Sequence, residues 1–353
     1  MMTENNITIQ FSHKVTIVSF ILAVFVMYIH AKNTAYYSFQ GVDATPIYTL
    51  NQILSETFGR IGVPFFFIQS GYWMFRFDIQ QADFKVWKQK LKKKFTTLIV
   101  PYLLWNAYSI VVFMFLTNLP GRAFYLNEGQ VVTFSFQTLY EGLILCKYNY
   151  PYWFMSDLII ITILSPLLSF FLKKKIIAVI TWIILMILTI LNLNIPFFQT
   201  SSLMLFFMGG ILSAYFKEFW ETQNSDMKCI VIYTVLFILL CVCKWIDIPY
   251  ISTLYVIAAP ILFWKICDVL VIFHLFDNEP VWFIKQSFFI YSAHVFVVEG
   301  YSSICARINQ SMLWICITYV LNPLITLLIL YVLARFLYSR LPGFYNLICG
   351  NRS

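Results

Sequence analysis

Five ionisable side chains that could take part in proton transfer or ion pairing lie in or beside long apolar stretches of the sequence. His30 closes the first such stretch, and an imidazole titrates close enough to neutral pH to act as a general base toward a hydroxyl. Glu56 and Arg60 are four residues apart, so they share one face of a helix. Asp157 and His294 each follow aromatic residues in later stretches. Because ionisable groups at membrane depth are costly, these residues together predict a polar cavity inside an apolar bundle.

Structural interpretations of the same residues stay open. Glu56 and Arg60 could form an ion pair that only holds helices together, and Asp157 could cap a helix. His294 could hydrogen-bond within the bundle, and His30 could mark the point where a helix meets water.

The elements that must position these residues are predicted to be membrane-spanning helices. Of the 353 residues, 60% are hydrophobic and only 11% are charged, and the mean hydropathy is +0.77. Soluble domains are about 25% charged. The pattern therefore predicts an all-α polytopic bundle in one transmembrane domain, residues 1–353, with about ten spans. These spans are 15–33, 52–74, 96–117, 151–172, 176–193, 200–216, 229–246, 252–273, 283–301 and 312–335.

The distribution of lysine and arginine predicts the orientation. With ten spans and a cytoplasmic N-terminus, 17 of these cations fall in inner segments and 5 in outer segments, which supports two cytoplasmic termini. The net charge of +8 indicates an anionic lipid surface rather than nucleic acid. The eight cysteines show no metal-ligand spacing, so no metal is expected. The stretch FSFQTLYEGLIL predicts a further helix at the membrane interface.

A basic segment, KVWKQKLKKK, precedes the third predicted span and ends in Lys92, Lys93 and Lys94. It could anchor the chain on anionic lipid, or it could bind a phosphorylated cytosolic ligand, since ammonium groups bind phosphate as point charges. The two roles are compatible.

Several of these stretches resemble the bacterial acyltransferase 3 family of integral membrane proteins. IVSFILAVFVMYIHAKN is similar to the family's first helix, and RIGVPFFFIQSGYWMF is similar to its signature second helix. KKKFTTLIVPYLLWN is similar to its basic loop and the segment that follows. Further similarities are PYWFMSDLIIITILSPLL, LMLFFMGGILSAYF and SFFIYSAHVF. Their order and spacing extend the resemblance nearly from end to end.

The resemblance implies transfer of an acyl group, commonly acetyl, from cytosolic acyl-CoA to a hydroxyl of an envelope or exported carbohydrate or glycolipid, in the bacterial inner membrane. His30 would be the general base, with a transient acyl-imidazole as an open variant, and Glu56 or Asp157 would orient it. Arg60, Ser70 or His294 would stabilise the oxyanion, and Trp153 would stack on the sugar. Lys92, Lys93, Lys94 and Tyr102 would bind the acyl-CoA.

Two positions depart from the family pattern. Many members carry arginine eleven residues before the first-helix histidine, where this chain has Ser19. Many also carry two arginines before the I-P-Y segment, where this chain has Lys94 and Thr97. Two alternatives therefore stay open: a transporter or flippase for a glycolipid or sugar without acyl transfer, and a scaffold without catalysis.

Overall fold

A computed structural model of the protein describes residues 4–32, 37, 39, 41, 43–77, 83–120, 131–224 and 226–351. These residues are mostly helical, and apart from one isolated bridge pair none of them forms a strand. In chain order the α-helices are α1 (Glu4–His30), α2 (Thr45–Leu50), α3 (Arg60–Phe75), α4 (Phe84–Lys94), α5 (Val100–Thr117), α6 (Phe136–Leu143), α7 (Trp153–Leu172), α8 (Lys175–Ile190), α9 (Thr200–Tyr215), α10 (Lys217–Glu221), α11 (Met227–Trp245), α12 (Ile251–Ile266), α13 (Val269–Ile272), α14 (Ser287–Ile308), α15 (Met312–Arg340) and α16 (Pro342–Ile348).

Two π-helical segments interrupt otherwise continuous helices. Asn51–Gly59 joins α2 to α3, and Phe95–Ile99 joins α4 to α5. Short 3₁₀ turns, Tyr150–Tyr152 and Trp282–Gln286, lead into α7 and α14. Because π-helical turns occur frequently at functional sites, the segment that carries Glu56 is of particular interest.

Seven stretches of the described residues are long and apolar enough to cross a membrane. They are Ile9–His30, Phe84–Thr117, Tyr150–Leu172, Met227–Trp245, Ile251–Ile272, Trp282–Ile308 and Met312–Arg340. The apolar helices α8 and α9 are shorter, at 16 residues each. An all-helical, multi-pass architecture is thus confirmed, and every predicted span coincides with a helix. The total of ten spans and the cytoplasmic termini stay predictions.

The chain divides into two compact units. The first takes its residues from Met1–Gln81 and Leu167–Ala334, and the second from Ala82–Pro166 and Arg335–Ser353. A single domain over residues 1–353 stays a prediction.

In the first unit, two glycines let α3 and α9 cross at backbone contact. A Cβ added at Gly71 would overlap the carbonyl of Phe206, and one added at Gly209 would overlap the carbonyl of Ile68. Small residues allow such close approach between membrane helices, where packing rather than the hydrophobic effect drives association. Each helix therefore carries a glycine at the place where the other helix touches it.

Replacing Gly71 with alanine is expected to lower the free energy of unfolding by about 1–3 kcal/mol, because the methyl group would force two backbones apart. Thermal unfolding of the purified protein in detergent measures the change. Gly300→Ala is the matched control, since an added Cβ there meets nothing within 4 Å. Alanine is the better helix former by about 1 kcal/mol, so this control should unfold at the same or a higher temperature. Equal behaviour of the two variants would contradict the close crossing.

A second pair of glycines packs against α1. A Cβ at Gly59 would lie 2.7 Å from the side chain of Ile29, and one at Gly62 would lie 2.5 Å from that of Val26. The π-helical segment and α3 therefore lie directly on the last turns of α1. This contact fixes the end of α1, where His30 is located.

A buried ion pair lies in the first unit. Lys14 Nζ donates to Asp268 Oδ1 at 2.6 Å, and the two side chains are 0% and 1% exposed. The same ammonium lies 3.7 Å from the ring centroid of Trp264, which adds a cation–π contact. The pair joins the first turns of α1 to the end of α12.

A second ion pair joins the end of α3 to α10. Arg76 Nε donates to Glu221 Oε1 at 2.8 Å, and the Tyr72 hydroxyl donates to the same oxygen. Burial opposes ionisation of Glu221, but the hydrogen bonds from Arg76 and Tyr72 outweigh it and hold the pKa of Glu221 below its usual value. The contact holds α10 against the end of α3, and the Glu221 carboxylate in it is charged.

The second unit contains the basic helix α4. Asp83 caps its N-terminus by accepting from the backbone N–H of Val86 at 2.9 Å, and Trp87 is the buried side chain of the helix. The stretch predicted as an interfacial helix forms α6, capped by Ser135, whose Oγ accepts from the backbone N–H of Thr138 at 3.0 Å. At the other end of the chain, α16 is tied to α5 by the Trp105 indole, which donates to the carbonyl of Ile348 at 3.1 Å.

Candidate active site

Two histidines meet at one end of the first unit. His30 is the last residue of α1, and its ring centroid lies 5.1 Å from that of His294 on α14, at an interplanar angle of 55°. The sequence places these residues 264 positions apart, so only the fold brings them together. This pair is the centre of the candidate site.

The hydrogen bonds of His294 fix its tautomer. Nδ1 lies 2.6 Å from the carbonyl oxygen of Tyr291 and 3.2 Å from that of Ile290. Carbonyl oxygens only accept, so Nδ1 must carry a proton, and in the neutral ring Nε2 then holds a lone pair. Nε2 is buried, and it has no hydrogen-bond partner among the residues that the structure describes. It is therefore an acceptor placed beside His30.

Three cations surround Glu56 in the neighbouring π-helical segment. Lys32 donates to Oε1, and Arg60 Nε donates to Oε2 at 3.1 Å. Lys244, from the end of α11, donates to the backbone carbonyl of Glu56. The Glu56–Arg60 pair predicted from the four-residue spacing is present. Since each carboxylate oxygen already accepts from a cation, orientation of His30 by Glu56 stays a prediction.

Arg60 belongs both to this ion cluster and to the surroundings of His30. It lies within electrostatic range of His30, and its side chain is 52% exposed. A guanidinium has five N–H donors. With Nε bonded to Glu56, further donors can serve a developing negative charge beside the histidine pair.

The structure places Ser70 away from this cluster. It lies on α3 ten residues after Arg60, which corresponds to about 15 Å along a helix. Its proposed contact with the oxyanion stays a prediction, and Arg60 is the better placed of the two.

The other predicted site residues belong to the second unit. Asp157 is buried on α7, four residues after the half-exposed Trp153. Tyr102 on α5 is also buried. Its hydroxyl lies 3.1 Å from Cys146 Sγ, and its ring stacks on Tyr152 with centroids 6.0 Å apart. The environment of Tyr102 is thus a packed one.

Lys92, Lys93 and Lys94 form the last turn of α4. Lys92 and Lys93 are exposed, and Lys94 is partly buried. The exposed ammonium groups of Lys92 and Lys93 are accessible to an anionic ligand or a lipid surface. The described residues include no group of three His, Cys, Asp or Glu side chains that could hold a metal ion.

Comparison with protein families identifies the family to which the chain belongs. Residues 15–344 match the family model described as "Acyltransferase domain" of the acyltransferase 3 type. The chain belongs to the acyltransferase 3 family. The match covers all five ionisable residues discussed above and both units of the fold.

A curated relative points in the same direction. Over 166 residues the chain is 29% identical to the "Succinoglycan biosynthesis protein ExoH" of Rhizobium meliloti (strain 1021), a match that covers 47% of this chain and 44% of that protein. The matched part of the chain thus spans less than half the length of this relative. No solved structure matches the chain.

Two residues of this acyltransferase 3 protein were missed as members of the site. Lys32 and Lys244 both donate to Glu56, although from the sequence they were only two of the five cations in outer segments. Each is a lone cation next to the end of an apolar stretch, and that position was the available signal. Their convergence on one carboxylate residue could not be read from the sequence.

Proposed function

We propose that this protein is a membrane O-acyltransferase that moves an acyl group, acetyl in the simplest case, from cytosolic acyl-CoA to a hydroxyl of an envelope or exported carbohydrate in the bacterial inner membrane. The observation that carries the proposal is the His30–His294 pair, with an unpartnered acceptor nitrogen on His294. Family membership supplies the reaction class. The name of the curated relative supports a polysaccharide as the acceptor.

The proposed chemistry is a direct transfer. His30 removes the proton from the acceptor hydroxyl while its oxygen attacks the thioester carbonyl carbon. The C–S bond then breaks, and the CoA sulfur leaves with the proton that His30 returns. An alcohol is a weak nucleophile at neutral pH, so a base held beside it is the main requirement of this step.

The neighbours of His30 are assigned different roles in the proposed reaction. His294 was predicted as one of three candidates for the oxyanion donor, but the lone pair on its Nε2 favours acceptance of a hydrogen bond from the acceptor hydroxyl or from the His30 ring. Arg60 is then the donor for the oxyanion, and Glu56, held by Lys32, keeps the guanidinium in place. Three further roles stay proposals. Asp157 would orient His30, Trp153 would stack on a sugar, and Tyr102 would contact the acyl-CoA.

The acyl-CoA is expected to bind through the lysines at the end of α4. Changing Lys92, Lys93 and Lys94 together to alanine should raise the KM for acyl-CoA by roughly tenfold, because up to three surface charge contacts of up to about 1 kcal/mol each would be lost. Steady-state kinetics in proteoliposomes measures this, and the effect should shrink at high salt as screening increases.

The matched control replaces Lys173, Lys174 and Lys175, a lysine triplet of equal charge at the start of α8. It should leave the KM for acyl-CoA nearly unchanged. Equal effects of the two triplets would show that the lysines act only through general surface charge.

Acyl transfer by the purified protein tests the proposed function. The protein in proteoliposomes receives acyl-CoA and unacylated polysaccharide from its host, and the release of free CoA is followed together with the mass of the glycan. We expect CoA release that depends on the acceptor, and the mass added identifies the acyl group. Movement of unmodified glycan without CoA release would instead establish the transporter or flippase alternative.

A further inference from the structure

A pocket lined by tyrosines lies in the first unit at the same end of α1 as His30. Its walls come from Tyr37 and Phe39, from α2, from α14 and from the first turns of α15. The side chains that matter for its chemistry are Tyr37, Phe39, Tyr301, Ser302, Thr318 and Tyr319. The space between them is narrow and holds about one water-sized group.

The pocket adjoins the histidine pair through Tyr319. The hydroxyl of Tyr319 donates to the carbonyl of Tyr28 at 3.4 Å, and the two rings are 5.6 Å apart. Tyr28 precedes His30 by two residues in α1. Tyr319 also lies within electrostatic range of Glu56. A group bound in the pocket would therefore lie beside the candidate active site.

The floor of the pocket is held in place by satisfied hydrogen bonds. Asn322 Nδ2 donates to Ser302 Oγ at 2.7 Å and to the carbonyl of Val298 at 3.1 Å, and Asn322 Oδ1 accepts from Thr326 at 3.1 Å. Thr318 Oγ1 donates to the carbonyl of Trp314 at 2.8 Å. Such a network fixes the side chains before any ligand binds.

The lining indicates a neutral, hydroxyl-bearing ligand. Hydroxyl groups and aromatic rings make up most of the wall, and the side chains that line the pocket carry no charge. An anion would find no cation there. A plain hydrocarbon chain would offer no donor to the remaining lone pairs of the Ser302 and Thr318 oxygens, whereas a ligand hydroxyl can donate to them. Tyr301 is only partly buried, so its ring is available at the mouth of the pocket.

We propose that this pocket is a subsite for the acceptor, which takes the hydroxymethyl arm of a neutral hexopyranose while the ring of the sugar rests on Tyr301. The inference rests on the proposed function for its choice of a carbohydrate. The terminal hydroxyl of a hydroxymethyl group matches the water-sized space, and its CH₂ would lie against the aromatic rings of the wall. The sugar would be anchored there with its other hydroxyls free to approach His30.

Saturation-transfer NMR on the purified protein in detergent tests the subsite without any acyl transfer. The probes are methyl β-D-glucopyranoside, methyl β-D-xylopyranoside, which lacks the hydroxymethyl arm, and methyl β-D-glucuronide, which carries a carboxylate in its place. We expect the glucoside to bind about tenfold more tightly than either of the others. Tyr301→Leu should weaken glucoside binding by about tenfold, and Tyr301→Phe, which keeps the ring, by less.

Tyr140→Leu is the control, because Tyr140 is an exposed tyrosine on α6. It should leave glucoside binding unchanged, and a monodisperse elution profile establishes that each variant is folded. Absent glucoside binding, equal binding of the three sugars, or unchanged binding by Tyr301→Leu would each overturn the subsite. An active transferase with any of those results would overturn the subsite alone, whereas tyrosine-dependent binding without acyl transfer would support the subsite and refute the proposed function.

Discussion

Replacing His30 with alanine is expected to lower acyl transfer by about 10²- to 10⁴-fold, the range that general acid–base catalysis contributes in enzymes. The reason is that the acceptor hydroxyl would lose the group that takes its proton. His30 is the last residue of α1, so a smaller side chain there leaves the turns of the helix intact. The variant should therefore insert and fold. Acceptor-dependent release of CoA in proteoliposomes measures the loss.

The matched control for this experiment is His274→Ala. His274 is 81% exposed and pairs with Asp277 on the surface, so its removal should leave the rate within about twofold, since exposed ion pairs contribute little. If His30→Ala kept full activity, His30 would not be the base. If both variants lost activity equally, the assay would be reporting general damage rather than catalysis.

Replacing Lys14 with methionine is expected to lower the free energy of unfolding by about 3–5 kcal/mol, because it leaves the carboxylate of Asp268 buried without its partner. Both side chains are almost fully buried, so water cannot replace the lost ammonium. Methionine preserves most of the apolar stem of lysine and therefore isolates the loss of charge. Thermal or denaturant unfolding of the purified protein in detergent measures the change.

A double-mutant cycle separates the pair from other effects. Lys14→Met with Asp268→Asn removes both charges and should recover part of the lost stability, since the neutral amide is cheaper to bury. Lys285→Met is the exposed control: its partner Glu279 is 75% exposed, and the change should cost only about 0–1 kcal/mol. A single Lys14→Met variant as stable as this control would contradict a structural role for the buried pair.

The helices of this protein could be predicted largely from the sequence, because their signal is local. Runs of apolar residues predicted ten spans, and each of them coincides with a helix. Helix bounds differ by a few residues, most clearly in α15, which continues to Arg340 rather than ending at 335. The division into two compact units has no such local signal, since each unit combines segments that are distant in sequence.

The candidate site was only partly predictable. The Glu56–Arg60 pair followed from helical spacing, and His30 and His294 were identified one by one as ionisable groups in apolar stretches. Their contact depends on how α1 packs against α14, which no spacing within either helix encodes. The Lys14–Asp268 pair was missed for the same reason, although a lone aspartate near the end of an apolar span is a signal in itself.

The π-helical segment Asn51–Gly59 changes how faces must be assigned along this part of the chain. Its hydrogen bonds span five residues rather than four, so each such turn shifts the angular phase of everything that follows relative to a continuous α-helix. A helical wheel drawn through residues 45–75 at constant pitch would therefore misplace Glu56 relative to Gly71. Homologous positions on the two sides of the segment correspond in space only when this change of phase is counted.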